Sequence, residues 1–306
     1  AYEIPKRDWS SDVCSSDLGG TNSAEYCYGV WLKHLTLLWA NGLRSMPNSV
    51  AELGPGDSLG VGLAALLSGV NEYAGLDVVR FSNIDSNLKI LDDLVELFRA
   101  RAGRPKKGWP DFDSHLDQNL FPSHILTEER LGASLTEPRI NAIRDAIKHP
   151  GQRRHGVMIR YFVPWYQESV IEPNSVDLVL SHGSLQYVPD LDGAYQALYA
   201  WLKPGGVMTH QYPLDSLGAA SVWNGHLAYS EWQWKLISGK RMVPNRHTHT
   251  EHLAFINKNG FSVQCSLRNF RSDGLSRSQL APRWQSLPDD DLHCCGALVQ
   301  AIKQSA

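Results

Sequence analysis

The sequence lacks the features that mark membrane-spanning, disulfide-bonded and nucleic-acid-binding proteins. No apolar run reaches the roughly 18 residues that a membrane span needs, and no stretch resembles a signal peptide. The five cysteines are an odd number, Cys294 and Cys295 are adjacent, and none has the C-x-x-C spacing of a zinc site. A net charge of -3 provides no basic footprint for nucleic acid. These absences predict a reduced, cytoplasmic protein, and 306 residues suffice for one large α/β domain with insertions or for two small domains.

The N-terminal residues are not expected to belong to the folded domain. Residues 8–18, DWSSDVCSSDL, are what a common short-read sequencing adapter encodes in one reading frame. We therefore interpret residues 1–22 as an adapter-derived scar and a disordered arm in a sequence of metagenomic origin. The alternative is a natural arm rich in serine and aspartate.

The most informative segment is VAELGPGDSLG, residues 50–60, in which an apolar strand end, an acid, a glycine-rich turn and an apolar helix follow one another. Glycines allow positive φ and close approach of a ligand, and the helix offers unpaired N–H groups. A dinucleotide site reads G-x-G-x-x-G, whereas Gly54, Gly56 and Gly60 are spaced one residue too widely. Glu52 can accept from a cationic amino group, which suits the methionine part of S-adenosylmethionine better than a pyrophosphate.

Apolar periodicity and turn residues predict alternating strands and helices. Helices are predicted at residues 23–38, 59–67, 84–100, 127–148, 191–202 and 248–259, and strands at 49–53, 72–77, 157–163, 175–182, 207–212, 261–267 and 296–303. The LKPGG sequence at residues 202–206 is predicted to end its helix. Two insertions are predicted, a lid at about 103–150 and a substrate-facing segment at about 213–246. Asp77, about 20 residues after the glycine turn, is placed to accept from ribose hydroxyls.

Two segments carry a resemblance to a known family. The E-x-G-x-G of the turn resembles motif I of the class I S-adenosylmethionine-dependent methyltransferases. NSVDLVLSHGSLQYVPDLDGAYQALYAWLKPGGVMTHQY, residues 174–212, looks like motif IV through the LKPGG turn of that family. The resemblance implies a doubly wound, mostly parallel seven-stranded α/β sheet of order 3-2-1-4-5-7-6, within one methyltransferase domain over residues 23–306.

The resemblance also implies a cofactor site for S-adenosylmethionine. Glycines of the turn would pass close to the methionine part, an acid would hold its amino group, and further residues would enclose the ribose and adenine. The residues assigned in this way are Glu52, Gly54, Pro55, Gly56, Asp77, Val78, Val163, Pro164, Ser181 and His182. The family places an acid near the end of the third strand, where this chain reads FVPW, so that contact with adenine is not carried over.

Two histidines are candidate catalytic bases for a hydroxyl acceptor, His182 after the fourth strand and His226 in the WNGH sequence. A purely structural role is equally open for each. Relatives carry a Glu-His pair where this chain has Gln186 and Tyr187, so no catalytic role transfers to those positions. Three further histidines, at 247, 249 and 252, lack a completing carboxylate pattern besides Glu251, and no metal site is predicted.

The sequence thus predicts methyl transfer, by in-line displacement, to a small-molecule or glycan-linked acceptor, more readily through oxygen than nitrogen. WNGHxAYSxxxWKLxxGKR resembles a poorly characterised bacterial subgroup often found with surface-polysaccharide genes. The SHGSL sequence differs from the Asn/Asp-Pro-Pro-aromatic pattern of DNA amino-methylating enzymes, so no nucleic-acid partner is expected. The alternatives are a non-catalytic S-adenosylmethionine-binding or partner-binding protein and, less favoured, a nicotinamide-dependent oxidoreductase. The sequence specifies neither the acceptor nor the oligomeric state.

Overall fold

The computed structural model describes residues 20–105, 116, 120–165, 170–239 and 242–304. The adapter-like stretch at 8–18 and part of the predicted lid lie outside the described residues. The helices are α1 (Ala24–Ala40), α2 (Gly60–Leu67), α3 (Ile84–Arg99), α4 (Glu128–Ser134), α5 (Glu137–Lys148), α6 (Leu191–Trp201), α7 (Glu231–Ser238), α8 (His249–Lys258) and α9 (Asp289–His293). The strands are β1 (Ser49–Leu53), β2 (Glu72–Leu76), β3 (Met158–Phe162), β4 (Val176–His182), β5 (Leu202–Pro213), β6 (Phe261–Phe270) and β7 (Cys294–Lys303).

The strands of the described residues form one seven-stranded sheet in the order β3-β2-β1-β4-β5-β7-β6. The first five strands are parallel, and β7 pairs antiparallel with both β5 and β6. This order confirms the doubly wound α/β fold predicted from the sequence. The order reverses direction between β1 and β4, which is where ligands bind in open α/β sheets.

Both faces of the sheet are covered, because the central strands are apolar on both sides. One face packs against α1, α2, α3 and α5, with Trp31, Leu63 and Leu94 in its core. The other face packs against α6 and α8, with Tyr195, Leu198 and Ile256 in its core. The carboxyl edge of β1 and β4 therefore lies between two packed layers.

Two predicted elements were wrong in detail. The helix predicted at 127–148 is two helices, because Thr136 caps a new N-terminus and Pro138 follows in the first turn of α5. The LKPGG sequence does end its helix, since α6 stops at Trp201. The strand predicted at 207–212 begins earlier, however, at Leu202, which pairs with Val176, and an irregularity in the β4–β5 pairing accommodates the glycines.

The second insertion packs with the connection between β6 and β7. Asn224 donates to Leu275 O at 3.1 Å and accepts from Leu275 N at 2.7 Å. The buried Arg246 guanidinium donates to Glu231 Oε1 at 2.8 Å and lies 4.9 Å from the centre of the Trp234 ring. Apolar side chains of the two segments form a separate small core. Within the described part of the chain, no helix is long and apolar enough to cross a membrane.

Candidate functional site

The glycine-rich turn after β1 approaches the loop after β4 closely. Gly54 and Gly56 have φ of 69° and 73°, which a side chain would strain. A Cβ atom on Gly54 would lie 2.6 Å from Ser184 Cβ. Ser184 Oγ donates to Leu53 O at 2.6 Å and so joins the two loops. These glycines are therefore required by the backbone path and by close packing.

Residues before α1 cover the outer side of the turn. Asp57 N donates to Thr21 Oγ1 at 2.9 Å, and Ser58 Oγ donates to the Thr21 carbonyl oxygen. A Cβ atom on Gly60 would lie 2.3 Å from Cys27 Sγ in α1. The third glycine of the turn therefore allows two helices to pack.

Glu52 is a buried acid beneath the turn. Its side chain accepts from Tyr73 Oη at 2.6 Å. Burial raises the pKa of Glu52 to about 8, the Tyr73 hydrogen bond opposes this rise, and the charge of Asp77 adds to it. Glu52 is therefore mostly protonated near neutral pH in the absence of a cation.

Asp77 follows β2 and contacts the turn directly. Its Oδ2 accepts from Gly56 N at 3.3 Å and its Oδ1 accepts from Val78 N at 2.8 Å. Burial raises the pKa of this carboxyl to about 7, although the backbone hydrogen bonds oppose the rise. Among the described residues, neither Asp77 nor Glu52 forms an ion pair with a lysine or arginine. Two such buried acids suit a ligand that brings positive charge and hydroxyl groups, and S-adenosylmethionine brings both.

The residues assigned to adenine lie beside Asp77. Asp77 N donates to Phe162 O at 3.0 Å, and Trp165 N donates to Asp77 O at 3.0 Å. Val163 and Pro164 lie between these two contacts, so the fold brings them together with Val78 at the same edge.

Pairing of β1 with β4 aligns Leu53 with Ser181, which sets His182 level with Gly54 of the turn. Ser181 is fully buried, and its hydroxyl lies 2.8 Å from Nδ1 of His210, its register partner in β5. Its side chain is therefore engaged within the core, whereas His182 lies on the same face as Glu52.

His182 is held by residues of α1. Its Nδ1 lies 3.2 Å from His34 Nε2, and its ring packs edge-on against Tyr26 with 5.9 Å between centres. Its Nε2 is buried without a hydrogen-bond partner among the described residues. Burial, followed by the charge of Lys33, lowers the pKa of His182 to about 3, so the ring is neutral.

His226 lies inside the second insertion. It is buried, its ring centre is 6.3 Å from that of Trp234, and burial lowers its pKa to about 3, with the charge of Arg246 as a smaller cause. No hydrogen bond or ring contact joins it to His182 within the described residues. The structure therefore does not bring the two candidate bases into contact.

The histidines near α8 have separate partners. His249 Nδ1 lies 2.9 Å from Tyr212 Oη, and His252 Nδ1 lies 2.8 Å from Tyr195 Oη. His247 Nδ1 lies 3.3 Å from Glu251 Oε2. In the ranges that the structure describes, no group of three or more histidine, cysteine or acidic residues could hold a metal ion.

Sequence reasoning missed three contributors to this site. Tyr73 binds Glu52, Tyr26 packs on His182, and His34 bonds to it. Tyr26 and His34 lie in the helix that the sequence predicts at residues 23–38. Only their spacing of eight residues could have indicated that both face the sheet. Tyr73 carried no signal, because it reads as an ordinary apolar position of β2.

Part of the chain matches a known protein family. Residues 127–209 match the family model described as "Methyltransferase domain". This match runs from α4 to the middle of β5 and does not include the glycine-rich turn. No curated protein matches the chain in sequence.

Solved structures of low sequence identity are similar to the chain. An S-adenosylmethionine-dependent methyltransferase from Mesorhizobium loti is 15% identical, with a TM-score of 0.44 over 87% of this chain and 95% of that one. A SAM-dependent methyltransferase from Methanosarcina mazei is 11% identical, with a TM-score of 0.46 over 88% and 98% of the two chains. Geranyl diphosphate C-methyltransferase from Streptomyces coelicolor is 13% identical, with a TM-score of 0.45 over 89% and 77%.

Proposed function

We propose that this chain is a class I S-adenosylmethionine-dependent methyltransferase that methylates a hydroxyl group of a small-molecule or glycan-linked acceptor. The family-model match at residues 127–209 and the strand order of the sheet support this proposal. S-adenosylmethionine supplies an electrophilic methyl group and loses its positive charge when that methyl leaves. Gly54 and Gly56 give the cofactor close access to the backbone. Glu52 receives its amino group and Asp77 its ribose.

The observation that supports an oxygen acceptor is the state of His182. This neutral histidine lies level with Gly54 at the carboxyl edge of the sheet, and its Nε2 has no partner among the described residues. A hydroxyl becomes a much better nucleophile when a base takes its proton during the reaction. In the proposed reaction, the acceptor O–H bond breaks and His182 Nε2 takes the proton.

Burial opposes a charge on His182, as its lowered pKa of about 3 reflects. That penalty applies to adding a positive charge to the site. During transfer a positive charge is lost from the same site, so a proton on His182 leaves the total charge unchanged. A weak base in the free protein is therefore compatible with proton transfer in the reaction.

The second insertion borders this edge and is the proposed acceptor-binding surface. Asn245 Nδ2 donates to Leu185 O at 2.9 Å and to Val188 O at 2.8 Å in the loop after β4. Trp223 and Trp234 are only 7% and 8% exposed, so packing of the insertion accounts for them better than stacking on a sugar. The support for a glycan-linked acceptor is the resemblance of the WNGH sequence. The contacts of the two tryptophans add nothing to it.

The test measures transfer of isotope-labelled methyl from S-adenosylmethionine to fractionated small molecules and glycans of a bacterial lysate. We expect label in alkali-stable ether linkages, and loss of at least about 100-fold in rate for His182→Gln with S-adenosylmethionine binding retained. His226→Gln is the matched comparison, because His226 is the other candidate base. Cofactor binding without transfer to any fraction would support the non-catalytic alternative, and label on nitrogen would refute the oxygen acceptor.

A further inference from the structure

A row of buried polar side chains runs from His182 to the far side of the sheet. His182 Nδ1 lies 3.2 Å from His34 Nε2, and His34 Nδ1 lies 2.8 Å from Thr209 Oγ1. Thr209 Oγ1 in turn lies 3.1 Å from the amide of Gln300 in β7. His34, Thr209 and Gln300 are each at most 1% exposed. The row is therefore shielded from water and must satisfy its own hydrogen bonds.

His182, His34 and Thr209 can each donate one hydrogen bond along the row and accept one. The orientation of the Gln300 amide at one end therefore decides which atom is the donor in every hydrogen bond of the row. A neutral imidazole carries a single N–H, and the hydroxyl of Thr209 has a single hydrogen. Burial lowers the pKa of both His34 and His182, which keeps both rings neutral. If the amide oxygen of Gln300 faces Thr209, then every hydrogen in the row points toward Gln300.

The surroundings of Gln300 favour that orientation. In the opposite orientation the amide nitrogen faces Thr209, and Gln300 Oε1 accepts from Asn41 Nδ2 at 3.1 Å. This orientation also places Oε1 3.2 Å from the carbonyl oxygen of Leu37, and two acceptors that face each other repel. With the oxygen toward Thr209, the amide nitrogen donates to Leu37 O at 3.2 Å. In this orientation Gln300 Oε1 also accepts from Leu38 N at 3.2 Å. Asn41 Nδ2 keeps its hydrogen bond to Leu37 O at 2.8 Å, and its other N–H can turn to water because Asn41 is half-buried at the edge of an open groove.

We infer that His34, Thr209 and Gln300 are positioning residues that fix the tautomer of His182, with the proton on Nδ1 and a lone pair on Nε2. Thr209 accepts from His34 Nδ1 and donates to Gln300, His34 Nε2 accepts from His182 Nδ1, and His182 Nε2 is left as an acceptor. The role of that acceptor as a base depends on the proposed function, but the tautomer itself does not. None of the three positioning residues needs to touch the cofactor or the acceptor.

The tautomer can be measured without turnover by ¹⁵N NMR of the imidazole side chains, with the His182 signals assigned by their loss in His182→Gln. We expect a pyridine-like, unprotonated Nε2 and a protonated Nδ1 in the wild-type protein. A proton on Nε2 in the wild type would mean that the row runs in the opposite direction and would overturn the inference.

Thr209→Val removes the hydroxyl with little change of shape and should convert His182 to a mixture of both tautomers. Thr209→Ser keeps the hydroxyl and should restore the wild-type spectrum. Thr36→Val in α1 is the matched control, because the Thr36 hydroxyl is buried without a partner in the described part of the chain and should not affect His182. If Thr209→Val does not fold, Gln300→Leu breaks the same end of the row. An unchanged His182 spectrum in the folded variant would overturn the inference.

Kinetics then connect the tautomer to the reaction. Thr209→Val should lower kcat by roughly tenfold with an unchanged KM for S-adenosylmethionine, and Thr209→Ser should recover it. If the tautomer responds as expected but no acceptor is methylated, the proposed function fails while this inference stands. If methylation is observed and the tautomer is wrong, the inference fails while the proposed function stands.

Discussion

Gly56 and Asp77 are joined by a hydrogen bond of 3.3 Å from the glycine N–H to the carboxylate Oδ2. The bond ties the glycine-rich turn to the end of β2, so the two halves of the proposed cofactor site hold each other in place. The same carboxylate also accepts from Val78 N, and both bonds favour its ionised form against the effect of burial. Changes at either residue should therefore affect cofactor binding more than folding.

Asp77→Ala and Gly56→Val should each abolish measurable S-adenosylmethionine binding, a loss of roughly 100-fold or more in Kd, while the domain remains folded. The first removes the carboxylate, and the second places a β-branched side chain at a φ of 73°. Calorimetric titration measures binding, and thermal unfolding checks the fold.

Gly69→Val is the matched control for the second change. Gly69 has a φ of 109° in the turn between α2 and β2, with open space around it. It should suffer the same backbone strain and bind S-adenosylmethionine normally. Unchanged affinity in Asp77→Ala or Gly56→Val would contradict the assigned site.

Binding of S-adenosylmethionine should strengthen as pH rises from about 6 to 8 and should release protons. Burial raises the pKa of Glu52 to about 8 and that of Asp77 to about 7, so both hold protons in the free protein at the acid end of this range. A cationic ligand favours their ionised forms, and each proton released changes Kd by up to about tenfold per pH unit. Titration calorimetry in buffers of different ionisation enthalpy counts the protons.

Tyr73→Phe tests the assignment of this pH dependence to Glu52. The Tyr73 hydroxyl donates to Glu52 at 2.6 Å and stabilises its ionised form. Its removal should move the rise in affinity to higher pH. Affinity that is independent of pH in the wild type would show that neither acid is protonated in the free protein.

The framework of the fold was predictable because it depends on local patterns. Strands such as β4 are continuous apolar runs bounded by turn residues, and their order followed from the resemblance of two motifs to one family. The break between α4 and α5 was also readable, since Thr136 and Pro138 are start signals within an otherwise helical pattern. Helix α7 was not predicted, because a tryptophan-rich stretch is as typical of a ligand-binding surface as of a packed helix.

The candidate site was predictable only where its residues share one segment. Glu52, Gly54 and Gly56 lie in one turn, and the spacing to Asp77 follows from the βαβ unit. His34 lies 148 positions from His182, and its contact depends on how α1 packs on the sheet. No local pattern encodes such a distance. The partners that set the charge and tautomer of the site were therefore beyond prediction.

The domain should lose stability steeply below about pH 6.5, because five buried histidines and the partly buried His182 are held in neutral form. Burial lowers the pKa of each of them: His34, His182, His210, His226, His249 and His252. A histidine with a lowered folded pKa takes up its proton only on unfolding, so stability falls with pH below the ordinary value of 6.5. Four acids whose pKa values are raised by burial act in the opposite sense, but they are fewer than the six histidines. They are Glu52, Asp57, Asp77 and Asp215.

We expect a loss on the order of several kcal/mol between pH 6.5 and 5, measured by urea unfolding at each pH. His252→Gln should show a shallower pH dependence, since one buried histidine is removed. His124→Gln, at an exposed position, should show the wild-type slope. Equal slopes in all three proteins would contradict the role of the buried histidines.

Gly62→Ala should destabilise the domain although alanine is the better helix former. A Cβ atom at this position of α2 would lie 2.1 Å from the Tyr73 ring, and that ring is fixed by its bond to Glu52. Overpacking of this kind costs about 1–3 kcal/mol, which exceeds the gain of about 1 kcal/mol from helix propensity. Gly132→Ala in α4 has open space around the new methyl group and should gain stability. Thermal unfolding of the two variants should therefore shift in opposite directions. Because the Tyr73 ring must also move, Gly62→Ala should weaken cofactor binding through Glu52, whereas Gly132→Ala should leave it unchanged.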